Sequence, residues 1–378
     1  MAKLTSTTYN SINEINRSQL EKLNSVNNTY FTRDFLFAFE SSNPTIDFKY
    51  ILIEKEKKAI ALALIQTVQL SIDVVLKNTK MPSFIRRFIY SLFCNDNINI
   101  MFCGNIFLSG EHGILIKDSE NKTEVIRAIC SKINVLAKLK KPLHAIFIKD
   151  FLEESRRHTD SFQKCGFTPM HVEPNMIITI NENWKSFEDY KQSLKSKYRV
   201  KANKADKTSA QLEARILTDL DLEFYKNELQ QLYENTIANA DFNAQVLNLN
   251  TYIKLRSKYH DNFIVKAYFL GDNLVGFLSA LANNHHLDAH FIGLDYGLNK
   301  QHAIYPRILN DYVRLGIKKK ALYINLGRTA SEIKTTIGAT PIELTCYLKH
   351  KRPLINFLIR PFVKRVQLKE FKQHFPFK

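Results

Sequence analysis

The stretch from Asn283 to Ala339 constrains this chain more than any other. Alternation with a period of two runs through Asn283-Asn284-His285-His286-Leu287-Asp288-Ala289-His290-Phe291-Ile292-Gly293-Leu294-Asp295-Tyr296. A strand of that pattern sets His286, Asp288 and His290 on one face and Leu287, Ala289 and Phe291 on the other. So polar a face on so apolar a strand is expected to line a cleft. Gly297-Leu298-Asn299-Lys300-Gln301 reads as a turn, and Ile304, Ile308, Leu309, Tyr312, Val313 and Ile317 recur at helical spacing between Ala303 and Lys318. A second strand, Ala321 to Leu326, leads through Gly327-Arg328-Thr329-Ala330 into a short helix with Lys334, closed by Gly338-Ala339. Strand, turn, helix, strand, helix is an α/β order. The helix beginning at Ala303 follows the first strand's carboxyl end, so its N–H groups and positive dipole end are expected to face an anion such as a phosphate.

With 378 residues, the chain is expected to form two domains of about 150 to 200 residues each. Hydrophobic residues make up 45%, and 11 Gly and 10 Pro are too few for a disordered or fibrous class. Cys94, Cys103, Cys130, Cys165 and Cys346 are scattered without disulfide or zinc spacing, which suits a reducing compartment. The segment Met1-Ala2-Lys3-Leu4-Thr5-Ser6 has no signal-peptide core, and the least charged stretch, Ala59 to Ile72, is short of the roughly 20 residues that span a bilayer. These features predict a cytoplasmic protein, soluble or peripheral on the inner face of the membrane.

The net charge of +17 is uneven: residues 347–378 hold nine Lys/Arg against one Glu. Leu354-Ile355-Asn356-Phe357-Leu358-Ile359 and Phe362-Val363 interleave with those cations. Such a basic, apolar tail suits an anionic membrane surface or an acidic carrier protein, and equally a solvated tail packed by a few apolar residues. Nucleic acid fits less well, because no helix-turn-helix, zinc finger or ribonucleoprotein motif accompanies the charge.

The first half repeats the plan of the second. Phe48–Glu54 and Ala59–Val75 read as a strand pair joined at Glu56-Lys57-Lys58, as Phe263–Leu270 and Leu274–Leu281 are joined at Gly271-Asp272-Asn273. A strand over 97–107, a helix over 123–139, a strand over 143–149 and a short helix over 159–165 follow. The duplication predicts lobes 1–180 and 181–378, with a seam at Ile180-Asn181-Glu182-Asn183-Trp184. In the first lobe, Gly104, Gly110 and Gly113 permit either a structural turn or close backbone approach to a ligand, and Cys103 has no assignable His partner. Beyond the seam, Lys191, Lys195 and Arg199 are spaced to share one helical face. That face is either solvated or, with Lys197, Tyr198 and Arg199, turned toward an anionic substrate.

Three segments carry a family resemblance: Phe291-Ile292-Gly293-Leu294-Asp295-Tyr296, the helix start Ala303-Ile304-Tyr305-Pro306, and Glu332-Ile333-Lys334 with Gly338-Ala339. They resemble the acyl-CoA-binding half of the GNAT acyltransferase superfamily, in its long branch related to the FemABX aminoacyltransferases. The resemblance implies two tandem GNAT-like lobes, each a mixed sheet flanked by helices, and an acyl-CoA or acyl-carrier-protein co-substrate without a permanently bound cofactor. It implies donor contacts at Gly293, Leu294, His302, Ala303, Ile304 and Arg328, and substrate contacts at Lys197, Tyr198 and Arg199. Gln301-His302-Ala303-Ile304-Tyr305-Pro306 stands where the family's Gln/Arg-x-x-Gly-x-Gly/Ala loop would lie, which brings a carrier protein forward as donor.

Transfer of an acyl group to an amine needs a proton acceptor, an oxyanion stabiliser and an anchored anionic carrier. His286, Asp288 and His290 are candidates for the first, Lys334 for the second, and Tyr305 for protonating the leaving thiolate or for packing alone. The two His and Asp288 have the composition of a metal set too, and a purely structural strand is a further reading. The reading favoured by sequence is an N-acyltransferase acting on a lipid amine. Its alternatives are a FemABX-type aminoacyltransferase, with tRNA as the donor's carrier, and a catalytically silent protein on a membrane surface.

Overall fold

The computed structural model describes residues 3–24, 28–71, 97–239, 244–365, 368 and 370–378. The chain divides into two compact units: Met1–Glu173 with Asp241–Leu247 and Glu343–Lys369, and Pro174–Ala240 with Asn248–Ile342 and Glu370–Lys378. The strands are β1 (Leu4–Tyr9), β2 (Asp47–Lys55), β3 (Lys58–Ser71), β4 (Asn97–Cys103), β5 (Ile114–Ile116), β6 (Ala145–Phe151), β7 (Thr168–Thr179), β8 (Glu213–Ile216), β9 (Phe263–Leu270), β10 (Asn273–Asn283), β11 (His286–Leu294), β12 (Tyr323–Asn325) and β13 (Thr340–His350).

In the first unit the sheet runs β1-β2-β3-β4-β6-β13, with β5 pairing β3. Glu56 and Lys57 join β2 to β3 with φ of 51° and 62°, the doubly left-handed turn whose twist matches a hairpin's. The expected run of this strand to Val75 lies outside the described residues. Parallel pairing joins β4 to β6, and helix Lys122–Leu139 makes the crossover. The helix forms as its spacing dictates: Asn121 caps it by accepting from the Glu124 N–H, and Val125, Ile126, Ile129, Cys130, Ile133, Leu136 and Ala137 make its buried stripe.

The second unit repeats the scheme with the order β7-β12-β11-β10-β9-β8. Here β11 and β12 are the parallel pair, and helix Ile304–Lys318 lies in the crossover. Helices Phe187–Ser193, Ser196–Thr208 and Ile304–Lys318 cover one face of the sheet, burying Leu287, Leu294, Ile304, Ile308 and Val313. Helix Lys226–Ala238 packs on β10 and β11 from the other face, and helix Asn250–Tyr259 on β9.

The boundary expected at 180/181 is corrected by strand exchange. Although β7 follows β6 in the chain, its residues Ile177, Ile178 and Thr179 register with β12. Likewise β13 follows β12, yet Thr345 to His350 register with β6. Each unit therefore takes an edge-closing strand from the other half of the sequence, and the cut falls at Glu173/Pro174. Residues 347–378 are no single tail either. Helix Pro353–Lys364 belongs to the first unit, whereas Glu370–Lys378 closes the second. There Phe377 forms a bridge with Leu194 and packs against Trp184 at 5.4 Å. Gly338 (φ 95°) makes room for it: a Cβ at that position would lie 2.2 Å from the Phe377 ring.

Candidate functional site

The site begins with an irregularity in β11. Leu278 registers with Ile292 but Ala280 with Ala289, so Ser279 faces both His290 and Phe291 across a β-bulge. A buried polar loop holds the extra residue. Ser279 Oγ donates to the Phe291 carbonyl at 2.7 Å, and the Phe291 N–H donates to the Tyr252 hydroxyl at 3.3 Å. Because the Ser279 proton is spent on Phe291, the Tyr252 proton goes to Ser279 Oγ, 2.7 Å away. Tyr312 adds a bond from its hydroxyl to the Ser279 carbonyl at 3.0 Å. Burial pushes both phenols above their ordinary range, so both remain donors.

The bulge changes the expected face. Leu287, Ala289, Ile292 and Leu294 all pack toward the core, so the alternation skips one residue after Ala289. Phe291, expected beside Leu287 and Ala289, turns the other way, its ring 4.7 Å from that of Tyr233. His290 lies edge-on to Phe263 at 5.8 Å and to Tyr252 at 6.4 Å. Asp288 is only 6% exposed, while His286 is exposed and meets the Tyr323 ring at 5.4 Å. No group of three His, Cys, Asp or Glu side chains among the described residues is arranged to hold a metal ion.

Asp288 also marks where the parallel pair ends. β12 registers with β11 only at His286, Leu287 and Asp288, and β11 continues to Leu294. On that edge no strand registers with β11 beyond Asp288 among the described residues. Glycine is required at Gly293 for a different reason: its added Cβ would come within 2.3 Å of Phe277 and 2.7 Å of Leu232. Gly293 and Leu294, expected as donor contacts, are both buried.

The helix start differs from the expectation in two ways. The predicted turn at Gly297–Gln301 is itself helical, Tyr296–His302, capped by Asp295 Oδ1 accepting from Leu298 N–H. Ala303 then takes a left-handed φ of 48° before Ile304–Lys318 begins. Of that helix's opening donors, the Tyr305 N–H is given to Asn299 Oδ1 at 2.9 Å, and Pro306 has none. The open cradle of N–H groups expected at Ala303 and Ile304 is therefore largely closed, and His302 is buried beside it.

Lys334 is committed elsewhere. Its ammonium donates to the carbonyls of Leu326 at 2.8 Å, Gly327 at 3.4 Å and Arg328 at 2.6 Å, and it is 6% exposed. An ammonium has three protons, and among the described residues three carbonyls face them. The oxyanion role expected of Lys334 gives way to fixing a loop in which Gly327, Thr329 and Ala330 all have positive φ. For Thr329 and Ala330 that conformation costs about 1–3 kcal/mol each, and the lysine helps to hold it. Arg328 in this loop is half-buried, with its Nε and Nη2 atoms shielded from solvent. Tyr305 packs on the core side of β11, opposite Tyr233; burial, then Tyr296, push its phenol well up, so it keeps its proton.

The basic helix is two helices. Phe187–Ser193 ends at Leu194, and Ser196–Thr208 starts afresh, so Lys191, Lys195 and Arg199 do not share one face. Lys191 pairs with Glu188 at 2.6 Å and Lys195 donates to the Phe375 carbonyl at 3.0 Å. At the new helix's first turn Lys197 is exposed, Arg199 half-buried, and the Tyr198 hydroxyl is 3.3 Å from His374 Nδ1. Sequence reading missed Ser279 and Tyr252, whose only signal is a small hydroxyl inside the apolar run Val275–Leu281. It also missed Asp311, which is fully buried and meets Lys266 at 2.7 Å, Arg314 at 2.6 Å and Arg307 at 3.2 Å. The Arg307-Asp311-Arg314 spacing of four and three was its legible trace.

No family model matches the chain, and no curated protein matches its sequence. Solved structures do match its fold. FemX superposes with a TM-score of 0.53 at 10% identity, over 90% of this chain and 96% of its own. A tandem GNAT protein from the clavulanic acid biosynthesis pathway gives 0.53 at 7%, over 93% and 99%. The C-terminal domain of a putative lysylphosphatidylglycerol synthetase from Agrobacterium fabrum gives 0.50 at 8%, over 93% and 97%. The chain shares the fold of FemX and of the tandem GNAT protein, as two tandem lobes each built on a mixed sheet flanked by helices.

Proposed function

We propose that the second unit is an N-acyltransferase site, moving an acyl group from a carrier thioester to an amine. The observation that carries this reading is the bulge in β11 together with its edge past the buried Asp288, where no strand registers among the described residues. An extended carrier arm with amide groups, as acyl-CoA and acyl carrier protein both have, can pair with such an edge as an added strand would. Its thioester then lies near the last paired residues.

In the reaction the amine attacks the thioester carbonyl, a C–N bond forms and the C–S bond breaks. Asp288, with His290 or His286 beside it, takes the amine's proton; Tyr305, kept protonated, returns one to the thiolate. Arg328 and the helix start at Lys197, Tyr198 and Arg199 hold the donor's phosphates. Gly293, Leu294, His302, Ala303 and Ile304 shape the backbone around it, and Lys334 keeps the Arg328 loop in form. For the acceptor we favour a lipid amine, supported by the exposed apolar helix in the first unit. The putative lysylphosphatidylglycerol synthetase, named for a lipid product, shares the fold. FemX does too, which supports a second reading, aminoacyl transfer from tRNA in cell-wall peptide synthesis.

The test offers purified protein an acyl-CoA, an acyl carrier protein or an aminoacyl-tRNA, each with a long-chain base as acceptor. Transfer from either thioester is expected, with Asp288→Asn and His290→Ala lowering turnover by about 10²-fold while unfolding is unchanged. Transfer from aminoacyl-tRNA alone would replace the reading by the second. Full activity in both variants would remove these residues from the mechanism.

A further inference from the structure

No described helix is long and apolar enough to cross a membrane, yet one carries its hydrophobic residues on the outside. In helix Pro353–Lys364, Ile355, Asn356 and Val363 face the first unit. Asn356 fixes it there, accepting from the His350 N–H at 2.9 Å and donating to the Gly166 carbonyl at 2.9 Å. The opposite side exposes Leu354 (81%), Phe357 (71%), Leu358 (50%) and Phe362 (50%). These fall at i, i+3, i+4 and i+8, one continuous stripe. A soluble helix normally buries such a stripe.

Charge says what could cover it. Residues 351–365 contain five Lys/Arg and no acid. The patch continues onto the end of helix Lys122–Leu139, where Leu139 is 77% exposed and is flanked by Lys138, Lys140 and Lys141. The two helices are neighbours: Lys351 donates to the Lys140 carbonyl at 2.9 Å, and Lys138 and Arg360 both act on the Lys349 ammonium. An apolar centre rimmed by cations opposes a protein core or another copy of itself, since two such surfaces would repel. It matches a surface that is apolar within and anionic at its rim.

We propose that helix Pro353–Lys364, with the Lys138–Lys141 corner, docks the first unit on an anionic lipid surface, Leu354, Phe357 and Leu358 entering the acyl boundary and the cations meeting headgroup phosphates. The helix lies in the plane of the interface and does not cross it. The last nine residues, also basic, take no part, because they are folded into the second unit. Docking is independent of the transfer chemistry, whereas a lipid acceptor depends on docking.

The experiment is co-sedimentation of the full chain with vesicles of phosphatidylcholine, with and without phosphatidylglycerol, at low and high salt. Binding is expected on the anionic vesicles only, falling steeply with salt. Arg360→Gln with Lys364→Gln and Arg365→Gln should lower partition by about fivefold per cation. Phe357→Ser with Leu358→Ser should lower it by about tenfold or more, with thermal unfolding unchanged because both side chains are already in solvent. Leu220→Ser with Phe224→Ser, at an exposed apolar pair in the second unit, should change nothing. Unchanged vesicle binding in both the Gln and the Ser variants would overturn the proposal. So would a dimer of the parent chain that the Phe357→Ser, Leu358→Ser variant dissolves.

Discussion

The two units share a plan and differ in what they do with the end of the parallel pair. In the first, the loop after β4 folds back on its own sheet. Leu64 donates to the Gly113 carbonyl and accepts from the Gly104 N–H, each at 2.9 Å. Lys149 donates to the carbonyls of Asn105 and Leu108, both at 2.8 Å. Asp150, fully buried with φ 67°, accepts from the Cys346 thiol at 3.0 Å and from the Gly110 N–H at 3.3 Å. A Cβ on Gly113 would come within 2.8 Å of Gly104, so these glycines serve close packing of the loop on itself. Burial pushes the Cys103 thiol up to about 12, which leaves it a poor nucleophile. In the second unit no described strand registers with β11 past Asp288 on the corresponding edge, and the same strand carries a bulge bonded by Ser279 and Tyr252. Lys149 and Lys334 teach a common lesson. Each is a buried lysine near a strand end, and each has its ammonium spent on loop carbonyls.

The largest expected effect separates the units by their buried carboxylates. Asp311 binds three cations and accepts from the Tyr268 hydroxyl at 2.9 Å. Replacing it by Ala strands those cations and should destabilise the second unit by about 3–5 kcal/mol in denaturant unfolding. The first unit's transition should stay in place, while Asp150→Ala should move that one instead. A pH dependence follows. Burial favours the protonated Asp311, but Lys266 and Arg307 outweigh it and hold the carboxyl below its ordinary range. A lowered value means that the stabilisation is present above the unfolded-state value, about 4, and fades as pH falls through the lower folded value. Loss of the second unit's stability on raising the pH from 5 to 7, roughly the plateau expected for a carboxylate, would contradict it.

A smaller effect asks whether the second unit takes the donor. Arg199→Ala should weaken an anionic donor by about 1.5–3 kcal/mol, as loss of a charge-assisted bond does, and leave acceptor affinity alone. Lys191→Ala, which removes the partner of Glu188 and a donor to Asn203 Oδ1 but no cation at that helix start, is the internal control. Equal donor affinity in both variants would return the start of Ser196–Thr208 to an ordinary solvated turn.

The doubled α/β plan was legible because hydrophobic period is local: Val125 to Ala137 and Ile304 to Ile317 announce their helices without help from the rest of the chain. Strand exchange was not, since pairing β7 with β12 joins residues about as far apart as Ile178 and Ile324, and nothing in either strand names its partner. The site was half legible. Asp288 and His290 stood out by alternation, but the bulge depends on Ser279 meeting Tyr252 across separate elements. Lys334 shows the limit most plainly, because a cation's role is set by the atoms already bonded to it.

The smallest predicted effect bears on the bulge itself. Ser279→Ala removes the donor to the half-buried Phe291 carbonyl and the acceptor of the buried Tyr252 proton, at a cost of about 1–3 kcal/mol. Tyr252→Phe removes the same loop from its other side, leaving the Phe291 N–H without its acceptor. Since both variants break one closed ring of bonds, their costs should not add: the double variant should be little worse than the worse single one. The Phe291 amide should exchange faster with solvent in all three, and transfer should fall with it, because β11 is then free to regain regular register and close its edge. Additive costs, or transfer unchanged while the amide is exposed, would mean that the bulge is packing detail and that the open edge owes nothing to it.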